Sequence, residues 1–217
     1  MPPTDAIIFD MDGVLTDSEP VINAAAIRGL REFGVPAQPQ DFVPFVGMGE
    51  DRYIGGVAAA YGKAYAPAMK KRVYEIYLEI LPGALKAFPG VHELLCALRA
   101  APVKLAVASS ADRIKVEANL TGIGVDLTWF AAVVVGEDVA HKKPAPDIYL
   151  HAARRLDCAP ARCCVVEDAI SGVQAAKAAG MRCVAVAESF SAAELAAAAP
   201  DIVRATLADI TLRDLGL

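Results

Sequence analysis

The chain has 217 residues, 55% of them hydrophobic and 22% charged, with a formal net charge of −5. That is ample apolar material for a buried core, so a disordered chain is excluded; one large domain, or a domain carrying a smaller insertion, is the expected size class. The acidic balance gives no pull towards nucleic acid or an anionic membrane surface, and no apolar run reaches the roughly 20 residues that a membrane-spanning helix needs.

The first residues lack the pattern of a secretory signal. A buried strand is expected at 6–9, where Ala6-Ile7-Ile8-Phe9 runs straight into Asp10, Met11, Asp12 and Gly13. Helical patterns follow at 20–33, 51–61 and 67–81. In the second of these, Tyr53, Val57 and Tyr61 form an apolar stripe at four-residue spacing. Leu81-Pro82-Gly83 reads as a return hinge. From there strands and helices alternate. Strands are expected at 104–108, 131–135, 163–166 and 183–187, with helices at 91–100, 113–120, 146–156 and 171–179. An alanine-rich helix is expected at 192–199. The fold class expected is therefore α/β: a doubly wound, Rossmann-like parallel sheet core made of 1–18 and 82–217, with an inserted α-helical cap over 19–81.

The five cysteines, Cys96, Cys158, Cys163, Cys164 and Cys183, are odd in number and include no C-x-x-C. The adjacent pair lies in the run Cys-Cys-Val-Val, where thiols serve as small hydrophobes, so a reducing compartment is expected. None of the three histidines, His92, His141 and His151, has metal-ligand spacing with another.

In open α/β sheets, ligands bind beyond the carboxyl ends of the strands. The polar residues of this chain fall there. Asp10 and Asp12 follow the first strand, Ser109 and Ser110 the second, Lys142 and Lys143 the third after a short loop, and Glu167 and Asp168 the fourth. Taken singly, each is an ordinary turn, cap or loop. Taken together, four carboxylates at one sheet edge would repel one another without a cation. Hard oxygen ligands with no histidine or thiol among them suit Mg²⁺. A lysine and a serine beside them are what an incoming phosphate would need, and the combination describes phosphoryl transfer.

These motifs resemble those of the haloacid dehalogenase superfamily of phosphatases, in its β-phosphoglucomutase-like branch with a helical cap. The likeness covers nearly the whole chain. It is carried by Asp10-Met-Asp12-Gly-Val-Leu-Thr16-Asp17, Val107-Ala-Ser109-Ser110, Lys143-Pro-Ala-Pro-Asp147 and Val166-Glu167-Asp168-Ala-Ile-Ser-Gly172. The resemblance implies that Asp10 is a nucleophile forming an aspartyl-phosphate, and that Asp12 is the general acid and base, lending its backbone carbonyl to Mg²⁺. It implies that Ser109, Ser110 and Lys143 hold phosphoryl oxygens, and that Glu167 and Asp168 orient or ligate the metal. The metal set expected is Asp10, Asp12, Glu167 and Asp168.

In the cap, the loop Phe45-Val-Gly47-Met-Gly49-Glu50-Asp51-Arg52 is the expected specificity segment, with Gly49 and Glu50 as substrate-side candidates. Two positions depart from a β-phosphoglucomutase: Ile22 stands where that branch has a histidine, and Glu50 where it has a phosphate-gripping arginine. A phosphatase acting on a small phosphorylated metabolite is therefore favoured over a mutase. A receiver-type phospho-acceptor is disfavoured by the length, the cap and Asp12. Residues 49–58 and 107–120 are also similar to the phosphatase-like module of a family of large chloroplast proteins. That likeness implies the chloroplast stroma, a monomeric module, and an alternative role in regulation with little catalysis.

Overall fold

A computed structural model describes residues 3–217. The strands are β1 (Ala6–Phe9), β2 (Thr16–Asp17), β3 (Lys86–Ala87), β4 (Lys104–Ala108), β5 (Ala132–Val134), β6 (Cys163–Glu167), β7 (Arg182–Val186) and β8 (Ile202–Arg204). The helices are α1 (Glu19–Glu32), α2 (Glu50–Ala60), α3 (Pro67–Ile80), α4 (Val91–Arg99), α5 (Arg113–Gly122), α6 (Asp147–Arg155), α7 (Ile170–Ala178) and α8 (Ala192–Ala197).

Six strands form one parallel sheet in the order β5-β4-β1-β6-β7-β8. β1 lies between β4 and β6, with Phe9 opposite both Val107 and Val166. Chain order reverses at β1, so its carboxyl end is the crevice where a doubly wound sheet places a ligand. All four residues of β1 and all five of β6 are buried, as continuous apolar runs in a sheet covered on both faces require.

Alternation along the strands supplies two cores. Ile7, Phe9, Cys164 and Val166 face one side, with Leu95 and Leu98 of α4 and Val116 and Leu120 of α5. Ala6, Ile8, Cys163 and Val165 face the other, with Ile148 and Ala152 of α6 and Val173 and Ala176 of α7. Cys163 and Cys164 thus sit in different cores, each serving as a small hydrophobe.

Helices α1, α2 and α3 lie between β2 and β3, and a 3-10 segment, Pro39–Phe45, precedes α2. α1 packs on α3, where a side chain at Gly29 would press on Val73. β2 and β3 pair antiparallel, Thr16 opposite Ala87 and Asp17 opposite Lys86, so the chain enters and leaves the helical segment through one short ribbon. The crossing at Lys86–Ala87 lies a few residues beyond the hinge expected at Leu81-Pro82-Gly83.

The edge strand β8 is not among the strands expected from the sequence. It is three residues long and only half-buried, so it lacks the apolar run that marks the other strands. The alanine-rich helix is real but ends at Ala197.

Candidate active site

Asp10 follows β1, and its amide still donates to the Val166 carbonyl at 2.9 Å, extending the ladder one residue past the strand. This fixes a carboxylate at the tip of the central strand, 6% exposed. Lys143 reaches it from the loop before α6: its Nζ lies 2.5 Å from Asp10 Oδ1 and 2.6 Å from Glu167 Oε1. The Glu167 carboxylate is fully committed. Its Oε1 also accepts from the Tyr149 hydroxyl at 2.9 Å, and its Oε2 accepts from the amides of Asp168 and Ala169, both at 2.7 Å. Tyr149 further presents its ring 4.9 Å from the Lys143 ammonium.

Asp10, Glu167 and Asp168 bring carboxylate oxygens within 4.8 Å of one another, all buried. Burial raises the Asp10 carboxyl to about 7; Lys143 opposes this, while Glu167 and Asp12 add to it. Burial, then Glu167 and Asp10, push the Asp168 carboxyl well above the usual range, partly offset by a Ser189 hydrogen bond. For Lys143, burial works against the ammonium, but Asp10 and Glu167 outweigh it and hold its pKa above that of an ordinary lysine.

Two glycines make the approach possible. Gly13 adopts φ +82°, and a Cβ there would overlap the Asp168 carboxylate. A Cβ at Gly172 would overlap the Glu167 carboxylate. The glycines of the first and fourth motifs are thus the spaces into which the two acids fit.

The Asp12 carboxylate is not among the three that converge, in keeping with a role for Asp12 at the ion through its backbone carbonyl; its side chain pairs instead with a buried cation on α5, Lys115 Nζ lying 2.7 Å from Asp12 Oδ2. Asp12 Oδ1 accepts from Ser18 Oγ and from Asn119 Nδ2, the latter at 3.2 Å. Lys115 also pairs with Glu50 at 3.0 Å, which ties the start of α2 to the sheet. Asp12 and Glu50 outweigh the effect of burial and hold the Lys115 ammonium well above the usual lysine range.

Lys115 and Asn119 were not singled out from the sequence. A signal was present. The two lie one turn apart on α5, interleaved with Val116 and Leu120 on its buried stripe. Buried polar side chains need partners, and here the partner is Asp12.

Asp10, Asp12, Ser109, Ser110, Lys143, Glu167 and Asp168 line one cavity of about 510 Å³ between the sheet edge and the helical segment, and Gly49 and Glu50 line it too. Ser109 is 2% exposed, and its Oγ accepts from the Ala111 amide at 3.1 Å, retaining its own proton to donate. Ser110 Oγ and Glu50 Oε2 are buried with no hydrogen-bond partner among the described residues. On the far wall the Tyr53 hydroxyl donates to Glu19 Oε1 at 2.6 Å, and Asn23 donates to Tyr53 at 3.2 Å. Lys142 stays at the rim, 3.8 Å from Asp51. His141 pairs with Asp147 at 3.0 Å and is exposed.

Comparison with known proteins places this geometry in context. The chain is 46% identical over 214 residues to the chloroplastic protein SUPPRESSOR OF QUENCHING 1 of Arabidopsis thaliana, covering 97% of this chain and 20% of that protein. It thus spans about a fifth of that relative's length. It is 35% identical over 178 residues to a phosphorylated carbohydrates phosphatase of Thermotoga maritima, covering 82% of each. The fold matches a mutant of CbbY from Rhodobacter sphaeroides, crystallised in complex with xylulose-(1,5)bisphosphate. The TM-score is 0.87 and the identity 26%, over 99% of this chain and all of that one. The family model described as haloacid dehalogenase-like hydrolase matches residues 7–186.

Proposed function

The chain belongs to the haloacid dehalogenase-like hydrolase family, and on that premise we propose that it hydrolyses a small phosphomonoester through an aspartyl-phosphate on Asp10, with Mg²⁺ as cofactor. The observation that carries this reading is the convergence of Asp10, Lys143, Glu167 and Asp168 on the tip of β1, with Asp12 held two residues away.

The donor set fits the ion. Three buried carboxylates face a single ammonium, and their oxygens are hard ligands of the kind Mg²⁺ takes. Both Glu167 oxygens are already engaged, so Asp10 and Asp168 would hold the ion, while Glu167 would hold Lys143. When bound, Mg²⁺ supplies positive charge that offsets the nucleophile and the phosphoryl oxygens.

An Asp10 oxygen attacks phosphorus, the bond from phosphorus to the ester oxygen breaks, and Asp12 gives its proton to the departing alcohol. Water then attacks the aspartyl-phosphate as Asp12 takes its proton. The bond from phosphorus to Asp10 breaks, leaving inorganic phosphate and a restored carboxylate. Lys143 and Ser109 hold phosphoryl oxygens through both displacements, and a buried, pre-positioned ammonium costs no reorganisation when the charge develops. The helical segment 19–81 acts as the cap that excludes water and selects the substrate.

The test is release of phosphate from p-nitrophenyl phosphate and a panel of sugar phosphates, with and without Mg²⁺. Mg²⁺-dependent turnover that Asp10→Asn abolishes is expected. An inactive wild type, or a fully active Asp10→Asn variant, overturns the reading.

The chloroplastic relative supports a second reading. Because the chain matches a fifth of a much longer protein, it would serve as one regulatory module in the chloroplast stroma. Beryllofluoride binding together with Mg²⁺ separates the two, since a live nucleophile takes it up and a purely structural module does not.

A further inference from the structure

Beyond the phosphoryl end, the cavity wall carries Asp17, Glu19, Glu50 and Glu188. Among the described residues that line the cavity, the cations are Lys115 and Lys143, and both are already spent on carboxylates. Lys115 bridges Asp12 and Glu50 at 2.7 and 3.0 Å, and Lys143 bridges Asp10 and Glu167 at 2.5 and 2.6 Å. No arginine among the described residues lines the cavity. Asp17 and Glu188 both line the cavity, and the Glu188 carboxyl is pushed up by burial, then by Asp17 and by Asp209. The same wall carries the apolar side chains of Phe45, Val46, Phe88 and Phe190, with Asn23, Tyr53 and Ser189 among its neutral polar groups.

A substrate reaching past the phosphoryl site therefore meets carboxylates, rings and neutral polar groups. A second phosphate or a carboxylate on it would be desolvated against like charge within the lining, and the cation nearest to hand, Lys142 beside Gly49, stands at the rim 3.8 Å from Asp51. We infer that the alcohol half of the substrate carries no anionic group: it is uncharged or bears an ammonium, and it presents an apolar face to the phenylalanines. This deepens the phosphatase reading and rests on it. It also separates this chain from the structurally similar CbbY, which was crystallised with a bisphosphate.

The experiment uses four benzyl phosphates whose leaving alcohols are similar in reactivity and differ at the para position: methyl, aminomethyl, carboxyl and a second phosphooxymethyl. The expected order of kcat/KM is aminomethyl at or above methyl, with carboxyl and the second phosphate about 100-fold lower. For any ester not turned over, its Ki against p-nitrophenyl phosphate must follow the same order. Glu188→Gln and Asp17→Asn should each narrow the aminomethyl-over-carboxyl ratio, by about tenfold. A carboxyl or bisphosphate ester that matches or beats the methyl ester overturns the inference, and a ratio unmoved in both variants removes the acids from it. Normal Mg²⁺-dependent turnover of p-nitrophenyl phosphate with an inverted charge preference would sink this inference alone. Absence of that turnover would sink the phosphatase reading and this inference with it.

Discussion

Lys115 donates to Asp12 across 2.7 Å from a helix more than a hundred residues further along the chain, and the same ammonium holds Glu50. The proposed general acid is therefore positioned by a buried cation that also fastens the helical segment to the sheet. Lys115→Met leaves two carboxylates facing each other without a counter-charge, a change that costs about 3 kcal/mol of stability at a buried pair. Urea denaturation measures that loss. Catalysis should fall unevenly. An alkyl phosphate needs its departing oxygen protonated, so its kcat should drop about 100-fold. The p-nitrophenyl ester, whose leaving group needs little protonation, should lose only a few-fold. Equal losses on both esters would mean that Lys115 acts on the fold and not through Asp12.

Asp10 is raised to about 7, by burial first and by Glu167 and Asp12 in addition. The ion-free protein therefore holds a proton on Asp10 below about pH 7, and a protonated carboxyl does not ligate a cation. Mg²⁺ affinity should weaken as pH falls, by about tenfold for each unit below 7 through Asp10, with Asp168, whose carboxyl is also pushed up, steepening the loss. Thermal shift titrations with Mg²⁺ at pH 6 and pH 8 check the sign. Saturating Mg²⁺ at pH 8 should stabilise the wild type, by about 2.7 kcal/mol at a hundred times Kd. Asp10→Asn and Asp168→Asn should remove most of that shift. A Mg²⁺ effect that grows as pH falls would contradict the ligand assignment.

Gly172 sits on α7 with its open side against Glu167, so Gly172→Ala tests the second acid without removing any polar group. Helix propensity alone favours the alanine by about 1 kcal/mol. Overlap with the carboxylate must cancel that gain by moving Glu167, which carries Lys143 on one oxygen and two backbone amides on the other. The variant should keep its far-ultraviolet circular dichroism and lose about 100-fold in kcat/KM, on the scale of a misplaced catalytic group. A stabilised and fully active variant would show that Glu167 has room to move.

Much of this architecture was readable from the letters, and the reason is physical. β1, β4, β5, β6 and β7 are covered on both faces, so each leaves an apolar run in the sequence, and the polar residue after each run marks its tip. Asp10, Ser109 and Asp168 follow such runs directly and Lys143 a short loop after one, and it is the set that stands out. Lys115 and Asn119 do not, because their partner Asp12 lies a hundred residues away and only the folded contact tells a buried lysine from a solvated one. The two-residue strands β2 and β3 carry too little pattern to detect, yet they set where the helical segment meets the sheet. The half-buried Ile202–Arg204 edge fails for the same reason.

Asp214 gives the fold an acid-sensitive fastening at its far edge. Its carboxylate, 5% exposed, accepts from Arg204 of β8 at 2.5 and 3.1 Å and from the amide and hydroxyl of Thr211 at 2.9 and 2.8 Å. The Arg204 hydrogen bonds hold its carboxyl near 2, against 3.8 for an ordinary aspartate, with the Thr211 bonds adding to the effect and burial opposing it. A depressed folded-state pKa contributes stability that is present above the unfolded value and is lost as pH falls through the folded one. The contribution is therefore complete above about pH 4 and gone near pH 2. Asp214→Asn should destabilise the protein at pH 7, by about 1–2 kcal/mol for lost charge-assisted bonds at a partly open site. The gap between variant and wild type should close between pH 4 and pH 2. Urea titrations at pH 7, 4 and 2.5 measure it, and a gap that is constant across this range would show that Asp214 acts through packing and not through its charge.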